Sequence, residues 1–332
     1  MIRDKKRVIV GMPTSFGFYK IISSRLEEVG FEVIDVSFQD HEFKYKNWTD
    51  RLYNLFRKVF LGDQTYKAKL KFLAAGQGIL TNLQNLKGKA DYGLIIRSDI
   101  YPTFVMDLIR QKTEVLLGYQ WDGLNRYPTI KDRFKYFDRF YFFDQGDSVV
   151  AKEGSNKLIP ITNFFFSHLQ NLETTVQKNT FLFLGSYNSS RMGNIINAEK
   201  LINDSGGFTR FMVYSNDNKL VEEFPNIQFI QEQIEYIDYI KLVLKSEYLV
   251  DLLVDTHEGL SFRVFESLGY KKKLLTNNKT IRQYDFYHPN NFFILGDEQR
   301  LLEEFLKLPY VEIRKDIIEK YDFDNWILRI FT

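Results

Sequence analysis

Two glutamates with seven residues between them stand in the C-terminal third of the chain, in the run Glu258-Gly-Leu-Ser-Phe-Arg-Val-Phe-Glu266. Carboxylates accept hydrogen bonds, and a vicinal diol such as that of a ribose or a sugar offers two donors to one carboxylate. Arg263 lies between the glutamates and carries the forked cation that suits a phosphate or an acidic group. These residue types predict a site for a ligand that has both hydroxyl groups and negative charge.

The elements around this run can position such a ligand. Tyr248–Val254 has the apolar pattern of a strand, and a helix is predicted to begin near Ser261, a good N-cap residue. A helix N-terminus presents free backbone N–H groups and the positive end of the helix dipole, and both favour a bound phosphate. Glu266 lies about a turn and a half into the helix, where a bound nucleotide could reach it.

The run resembles the Glu-x(7)-Glu motif of GT-B glycosyltransferases, which use a nucleotide-sugar donor. The resemblance implies that Glu258 contacts the donor sugar as a catalytic residue and that Glu266 contacts the ribose. The residues between them are expected to line the donor site: Gly259, Leu260, Ser261 and Arg263. The following run Gly269-Tyr-Lys-Lys-Lys-Leu-Leu-Thr-Asn277 is similar to the strand and turn that come after this helix in the family.

The segment Leu260-Ser-Phe-Arg263 departs from the Phe-Gly-x-Pro core that is usual in the family. It is similar instead to the Ser-Phe-Arg-x-Phe-Glu variant of bacterial transferases that build surface polysaccharides. The resemblance therefore implies a glycosyl transfer to a hydroxyl group of a lipopolysaccharide, capsule or exopolysaccharide, with a free or lipid-linked glycan as the acceptor.

A second candidate segment, Phe181-Leu-Phe-Leu-Gly185-Ser-Tyr-Asn-Ser-Ser-Arg191, runs from a predicted strand into a polar turn. GT-B enzymes place donor phosphate contacts at this point. Gly185 allows a close approach to the backbone, Ser186 follows it, and Arg191 can neutralise a diphosphate. An ordinary strand-to-helix connection with a surface arginine is the alternative interpretation.

A third segment, Trp121-Asp122-Gly-Leu-Asn-Arg126, ends a predicted strand in the N-terminal half. An aromatic face can stack on a sugar ring, and Asp122 is the candidate general base for an acceptor hydroxyl. Arg97 and Asp99 end the preceding strand and are expected to face the same cleft. A turn with a packed tryptophan is the alternative.

Gly17 is a further candidate for acceptor binding. It closes the turn Pro13-Thr-Ser-Phe-Gly17 after the first predicted strand. GT-B enzymes often keep a glycine-bearing acceptor loop at this point, whereas a plain turn is the simpler interpretation.

Short β-rich runs alternate with segments of helical period along the chain, and this alternation starts afresh after residue 175. The pattern predicts an α/β protein of the GT-B class, with two doubly wound, Rossmann-like parallel-sheet domains that face each other across a cleft. We expect residues 1–165 to bind the acceptor and residues 175–315 to bind the donor. Residues 316–332 are expected to form a C-terminal helix that can cross back to the N-terminal domain.

Composition excludes several function classes. The 332 residues include no cysteine, and the four histidines are scattered, so neither a thiolate site nor a zinc site is expected. No Asp-x-Asp motif stands in a suitable loop, and we expect a reaction that needs neither a metal nor another cofactor. The formal net charge of +2 and the absence of a basic stripe predict that nucleic acid is not a partner.

The predicted location is the cytoplasm. No apolar run approaches the ~18 residues of a membrane span, and the N-terminus lacks the pattern of a signal peptide. Basic and aromatic helices such as 44–60 suggest peripheral contact with the cytoplasmic face of the inner membrane. Two other functions stay open: a two-lobed nucleotide- or sugar-binding protein without catalysis, and a GT-B-like nucleotide-sugar epimerase.

Overall fold

The computed structural model describes residues 5–39, 45, 47–60, 66–147, 157–254, 259–297 and 301–332. The chain divides into two compact units. The first unit contains Met1–Phe142 and Val149–Ile159, and the second contains Phe143–Ser148 and Pro160–Thr332. Each unit is built on a six-stranded sheet with helices between successive strands, which confirms the predicted α/β class.

The first unit is ordered β2-β1-β3-β4-β5-β6 in its sheet, and β1 pairs in parallel with both β2 and β3. Its strands and helices are β1 Arg7–Gly11, α1 Phe18–Glu28, β2 Glu32–Asp35, α2 Trp48–Phe60, α3 Tyr66–Ala75, α4 Gln77–Asn85, β3 Ala90–Ile96, α5 Thr103–Gln111, β4 Thr113–Gln120, β5 Arg139–Phe142 and β6 Leu158–Pro160. The order reverses direction between β1 and β3, so the loops after these two strands leave toward opposite sides of the sheet. Ligands of open α/β sheets bind at such a switch point.

The second unit has the order β12-β11-β10-β7-β8-β9, and every neighbouring pair is parallel. Its strands and helices are β7 Gln177–Ser186, α6 Ser189–Asp204, β8 Phe208–Tyr214, α7 Lys219–Glu223, β9 Gln228–Ile230, α8 Tyr236–Lys245, β10 Ser246–Asp251, α9 Phe262–Gly269, β11 Lys273–Thr276, β12 Phe292–Ile294, α10 Leu302–Lys307, α11 Lys315–Lys320 and α12 Phe323–Phe331. Counted from β7, this is the 3-2-1-4-5-6 order of dinucleotide-binding sheets, and its switch point lies between β7 and β10.

Apolar strands explain why both sheets lie inside their units. β1 contributes Val8, Ile9 and Val10, which are fully buried, and the central strand β10 contributes Leu249 and Val250, also fully buried. Such continuous apolar runs are typical of parallel strands that helices cover on both faces. The polar residues that end these strands are therefore held on a rigid base.

The C-terminal helix α12 packs within the second unit. Trp326 donates from Nε1 to the carbonyl of Thr162 (2.7 Å), and its ring lies 4.4 Å from that of Phe164. The backbone N–H of Phe323 donates to the carbonyl of Phe165. A contact of residues 316–332 with the N-terminal domain stays a prediction, and so do the boundaries at residues 165 and 175.

Candidate functional site

The strongest candidate site lies at the switch point of the second sheet. β7 ends at Ser186 and β10 ends at Asp251, and the two strands are neighbours. The polar loops that follow them start from the same edge of the sheet, because both strands run in the same direction. Two sequence segments that are more than sixty residues apart are therefore brought together there.

Asp251 is the centre of this site. Its side chain is 5% exposed, and its Oδ1 accepts hydrogen bonds from Ser261 Oγ (2.8 Å) and from Arg263 Nη1 (3.3 Å). Its Oδ2 is buried without a hydrogen-bond partner in the described structure. Sequence reasoning missed this residue, although a carboxylate within the apolar strand run 248–254 was a usable indication.

Two arginines converge on the end of β7. Arg263 donates from Nη2 to the carbonyl of Leu184, and Arg191 donates from Nη2 to the carbonyl of Ser186. The guanidinium carbons of the two arginines lie 5.2 and 5.3 Å from the ring centre of Phe183, respectively. The structure thus brings the second candidate segment beside the first.

The convergence of the two arginines explains why residue 185 is a glycine. A Cβ atom at position 185 would lie 2.7 Å from Arg191 Nη2, a distance that real Cβ atoms do not adopt. A larger residue would therefore displace the Arg191 guanidinium from the end of β7. The glycine keeps the cation close to the backbone there.

The N-terminus of α9 has no capping hydrogen bond from the side chain of its N-cap residue. Ser261 occupies the N-cap position, as predicted, but its side chain makes no capping hydrogen bond; its hydroxyl donates to Asp251 instead. The first turn of a helix has N–H groups without intrahelical partners, and these attract a phosphate when no side chain caps them. Arg263 stands in the same turn, beside the end of β7.

Glu266 lies inside the unit rather than at the open edge of the sheet. It is 1% exposed, and its two oxygens accept hydrogen bonds from Tyr236 Oη (2.8 Å) and Tyr239 Oη (2.6 Å). Burial raises the pKa of Glu266 above its ordinary value, against the lowering effects of both tyrosine hydroxyls and of Arg263. The ribose contact stays a prediction, and it would require the tyrosines to give way.

The residues between the two glutamates have packing roles. A Cβ atom on Gly259 would lie 2.9 Å from the Cα of Asp144, so the loop needs a glycine here. Leu260 is 1% exposed, and its carbonyl accepts a hydrogen bond from Asn163 (3.0 Å). Glu258 lies outside the described residues, and its predicted catalytic role stays a prediction.

A second polar cluster lies in the first unit, after β3 and β4. Arg97 donates from Nε and Nη2 to the two oxygens of Asp99 at 2.8 and 2.7 Å, and its Nη1 lies 3.6 Å from Asp122 Oδ2. The ring centre of Tyr127 is 3.5 Å from the guanidinium carbon of Arg97. Arg126 donates to Asp122 Oδ1 (2.8 Å). Four predicted acceptor-site residues thus share one network.

The backbone at Arg97 is in the left-handed region, with φ of 59°. A non-glycine residue with this conformation costs about 1–3 kcal/mol and often marks a functional site. Two buried side chains nearby in the sequence, Ser98 and Gln120, have polar atoms without hydrogen-bond partners in the described structure. These features indicate a site that is built to hold polar groups rather than one optimised for stability.

Trp121 and Gly17 lie in two loops of the first unit that are in contact through Phe18. The Trp121 ring meets the edge of Phe18 at 5.5 Å, which joins the loop after β4 to the start of α1. Gly17 is the N-cap of α1 with φ of 64°, and Phe16 before it also has a positive φ. The structure therefore brings the segment after β3 beside the segment after β4, and Phe18, next to Gly17, contacts the latter through Trp121.

Comparisons with known proteins support the fold class. No family model matches the chain, and no curated protein matches it by sequence. Solved structures do match the chain. One is an alpha-glucosyltransferase in complex with UDP-glucose and DNA containing an abasic site. Its TM-score is 0.59 at 10% identity, with 98% of this chain and 100% of that chain covered. An alpha-glucosyltransferase with UDP and a 13-mer DNA has a TM-score of 0.50 at 11% identity, with 87% and 81% covered. The chain has the two-domain GT-B fold.

The prediction that nucleic acid is not a partner is wrong. It rested on the low net charge and on the absence of a basic stripe, yet both of these similar structures were solved with DNA bound. An overall charge near zero leaves room for local basic surfaces, so the composition of a whole chain does not exclude a nucleic-acid partner.

Two further features concern metal ions and membranes. In the part of the chain that the structure describes, no group of three or more histidine, aspartate or glutamate side chains could hold a metal ion. Among the same residues, no helix is both long and apolar enough to cross a membrane. A reaction without a metal, a cytoplasmic location and peripheral membrane contact all stay predictions.

Proposed function

We propose that this protein is a glycosyltransferase that moves a sugar from a nucleotide-sugar donor to a hydroxyl group of a bacterial surface glycan. One observation carries the proposal: two arginines and an uncapped helix N-terminus converge at the switch point of a sheet with the dinucleotide-binding strand order. This arrangement suits the diphosphate of a nucleotide-sugar. The UDP-glucose and UDP in two structures of similar fold support the same choice.

The donor half of the mechanism concerns the leaving diphosphate. When the bond between the sugar and the diphosphate breaks, negative charge grows on the phosphate oxygens. Arg191 and the first-turn N–H groups of α9 would stabilise that charge, and they would do so without a metal ion. Arg263 would hold the end of β7 in place through its bond to Leu184.

The acceptor half of the mechanism would use the cluster in the first unit. Asp122 would take the proton from the attacking hydroxyl if the enzyme inverts the anomeric centre. Arg97 and Arg126, which flank this carboxylate, would orient it, and Trp121 would stack on the acceptor sugar. Glu258 would contact the donor sugar, as the resemblance implies.

A second candidate acceptor is DNA, because two structures of similar fold were solved with it. The same donor site would serve both acceptors, so the two candidates differ in the first unit only. Binding without catalysis and epimerisation of the nucleotide-sugar are the remaining alternatives.

A donor screen separates these functions. The protein is incubated with a panel of nucleotide-sugars, alone and with a surface-glycan extract or duplex DNA, and products are followed by mass spectrometry. We expect slow hydrolysis of one donor and faster consumption with the glycan. Labelled DNA would support the second candidate, and an epimerised donor would support the epimerase. If no donor is consumed but one binds, the protein is a binding protein and the proposal fails.

Arg191→Gln is the matched variant for this screen. Arg191 lies at the edge of its unit, where it donates to a backbone carbonyl, so its replacement should leave the fold intact. We expect donor consumption to fall by about two orders of magnitude, as for the loss of one electrostatic stabiliser of a transition state. Lys200→Gln, on an exposed face of the same helix, is the control and should keep full activity.

A further inference from the structure

Helix α2 turns its apolar side to the solvent. Seven of its side chains are large and apolar or aromatic, and their exposed fractions run from 48% to 73%. They are Trp48, Leu52, Tyr53, Leu55, Phe56, Val59 and Phe60. Large exposed apolar patches of this kind mark surfaces that bind a partner or a membrane.

The helical spacing places these side chains on one continuous face. Trp48, Leu52, Leu55 and Val59 follow the i, i+4, i+7, i+11 pattern of a single row along a helix. The polar side faces the protein instead: Asn54 is 6% exposed, and Asp50 accepts a hydrogen bond from Tyr66 Oη (3.1 Å). This is the reverse of the orientation by which a surface helix buries its apolar stripe in its own core.

Basic residues border the apolar face on both sides. At 100° per residue, Arg51 and Lys58 flank one edge of the face, and Arg57 flanks the other edge, where it lies over the rings of Tyr53 and Tyr66. Residues 47–60 and 66–75 contain six basic side chains and a single acidic one, Asp50. The basic residues are Arg51, Arg57, Lys58, Lys67, Lys69 and Lys71.

We propose that α2 is a docking helix for an anionic lipid bilayer and lies in the plane of the headgroups. Its apolar side would enter the boundary of the acyl chains, while the flanking arginines and lysine would reach lipid phosphates. The helix has 13 residues, so it extends about 20 Å and is too short to span the ~30 Å hydrocarbon core. Trp48 and Tyr53 suit the interface between water and lipid.

A second copy of this chain is the other occupant to consider. Two copies that met through α2 would bring two positively charged surfaces together, which opposes association. An anionic bilayer attracts the same charges, at about 1 kcal/mol for each lysine or arginine near the surface. The charge on this face therefore favours a membrane over a dimer. The proposed membrane contact of α2 does not depend on the transfer reaction.

Vesicle co-sedimentation tests the proposal with the full-length chain. Vesicles of phosphatidylethanolamine and phosphatidylglycerol are compared with vesicles of phosphatidylcholine alone. We expect binding to the anionic vesicles only, and weaker binding at high salt. The variant Leu55→Ser/Val59→Ser/Phe60→Ser should bind at least about tenfold more weakly, because three side chains lose their burial in lipid. Arg51→Glu/Lys58→Glu should also weaken binding.

Matched controls change the same chemistry in the second unit. Phe208→Ser/Val221→Ser removes two exposed apolar side chains, and Lys200→Glu/Lys219→Glu reverses two exposed charges. Both controls should bind vesicles like the original chain, and all variants should unfold at similar temperatures. Equal binding to neutral and anionic vesicles, or full binding by the triple serine variant, would overturn the proposal. So would a dimer in solution that becomes monomeric in the triple variant without any vesicle binding.

Discussion

Each of the two units contains a polar cluster of arginines and aspartates, but the two clusters are arranged differently. In the first unit, Arg97 has two carboxylates at hand, since Asp99 binds it at two points and Asp122 lies 3.6 Å away. In the second unit, Arg263 has one carboxylate partner in direct contact, Asp251, whose second oxygen is left without a partner in the described structure.

The difference concerns the ligand that each cluster can take. Two arginines and two aspartates balance each other in the first cluster, which suits an uncharged group that is rich in hydroxyls. In the second cluster, Arg191 and the uncapped start of α9 add positive potential at the end of β7, which suits an anion. Similar residues thus suit an uncharged ligand in one unit and an anion in the other.

The largest expected effect is the loss of the carboxylate at Asp251. Asp251→Ala leaves the buried Arg263 guanidinium without its carboxylate partner, so we expect the free energy of unfolding to fall by about 3–5 kcal/mol. Asp99→Ala should have a smaller effect of about 1–2 kcal/mol, because Asp122 remains beside Arg97. Urea denaturation of both variants measures the two values. Equal losses would contradict the contrast between one carboxylate partner and two.

The next largest loss of stability is expected at Glu266, whose carboxylate accepts hydrogen bonds from two tyrosines. Glu266→Ala leaves two buried hydroxyls without their acceptor, which should lower the free energy of unfolding by about 2–4 kcal/mol. Adding Tyr236→Phe and Tyr239→Phe removes those hydroxyls and should recover part of the loss. If the triple variant is less stable than the single one, the hydroxyls are not the cause.

The raised pKa of Glu266 predicts a dependence of stability on pH. Burial favours the neutral carboxyl in the folded chain, so its contribution is fully present below the unfolded pKa and is lost as the pH rises through the folded pKa. Glu266→Gln cannot ionise. Its free energy of unfolding should therefore fall less than that of the original chain as the pH rises above the ordinary pKa of a glutamate. Parallel pH profiles of the two proteins would show that Glu266 is not responsible.

The smallest expected change in stability is at the rim of the first cluster. Arg126 is 53% exposed on its side chain, so Arg126→Ala should change the free energy of unfolding by less than about 1 kcal/mol. The KM for the acceptor should nevertheless rise, because Asp122 loses one of the cations that orient it. An unchanged KM would place the acceptor elsewhere.

Strand ends were predictable from the sequence, because apolar runs broken by polar turns identify both the sheets and the residues that follow them. This reasoning selected the segments that contain Gly185, Arg191 and Arg263, and the resemblance to GT-B enzymes assigned all three residues to the donor site. It could not give the partners of those residues, since pairing depends on strand order. Asp251 could have been found, because its partners Ser261 and Arg263 follow it in the next loop and helix. The burial of Glu266 could not, because it depends on Tyr236 and Tyr239 in the helix that precedes the strand.

The sequence also did not show that the polar side of α2 faces the protein. The sequence shows an amphipathic helix in either orientation, and only packing decides which side is covered. The exposed Trp48 and Phe60 and the buried Asn54 give the orientation.

The most direct test of the proposed donor site is calorimetric titration of nucleoside diphosphates into the original chain and into Arg191→Gln. We expect at least one nucleoside diphosphate to bind the original chain and to bind Arg191→Gln at least about tenfold more weakly, as for the loss of a charged hydrogen bond. Failure of every nucleoside diphosphate to bind, or equal affinity of the two proteins, would contradict a donor site at the ends of β7 and β10.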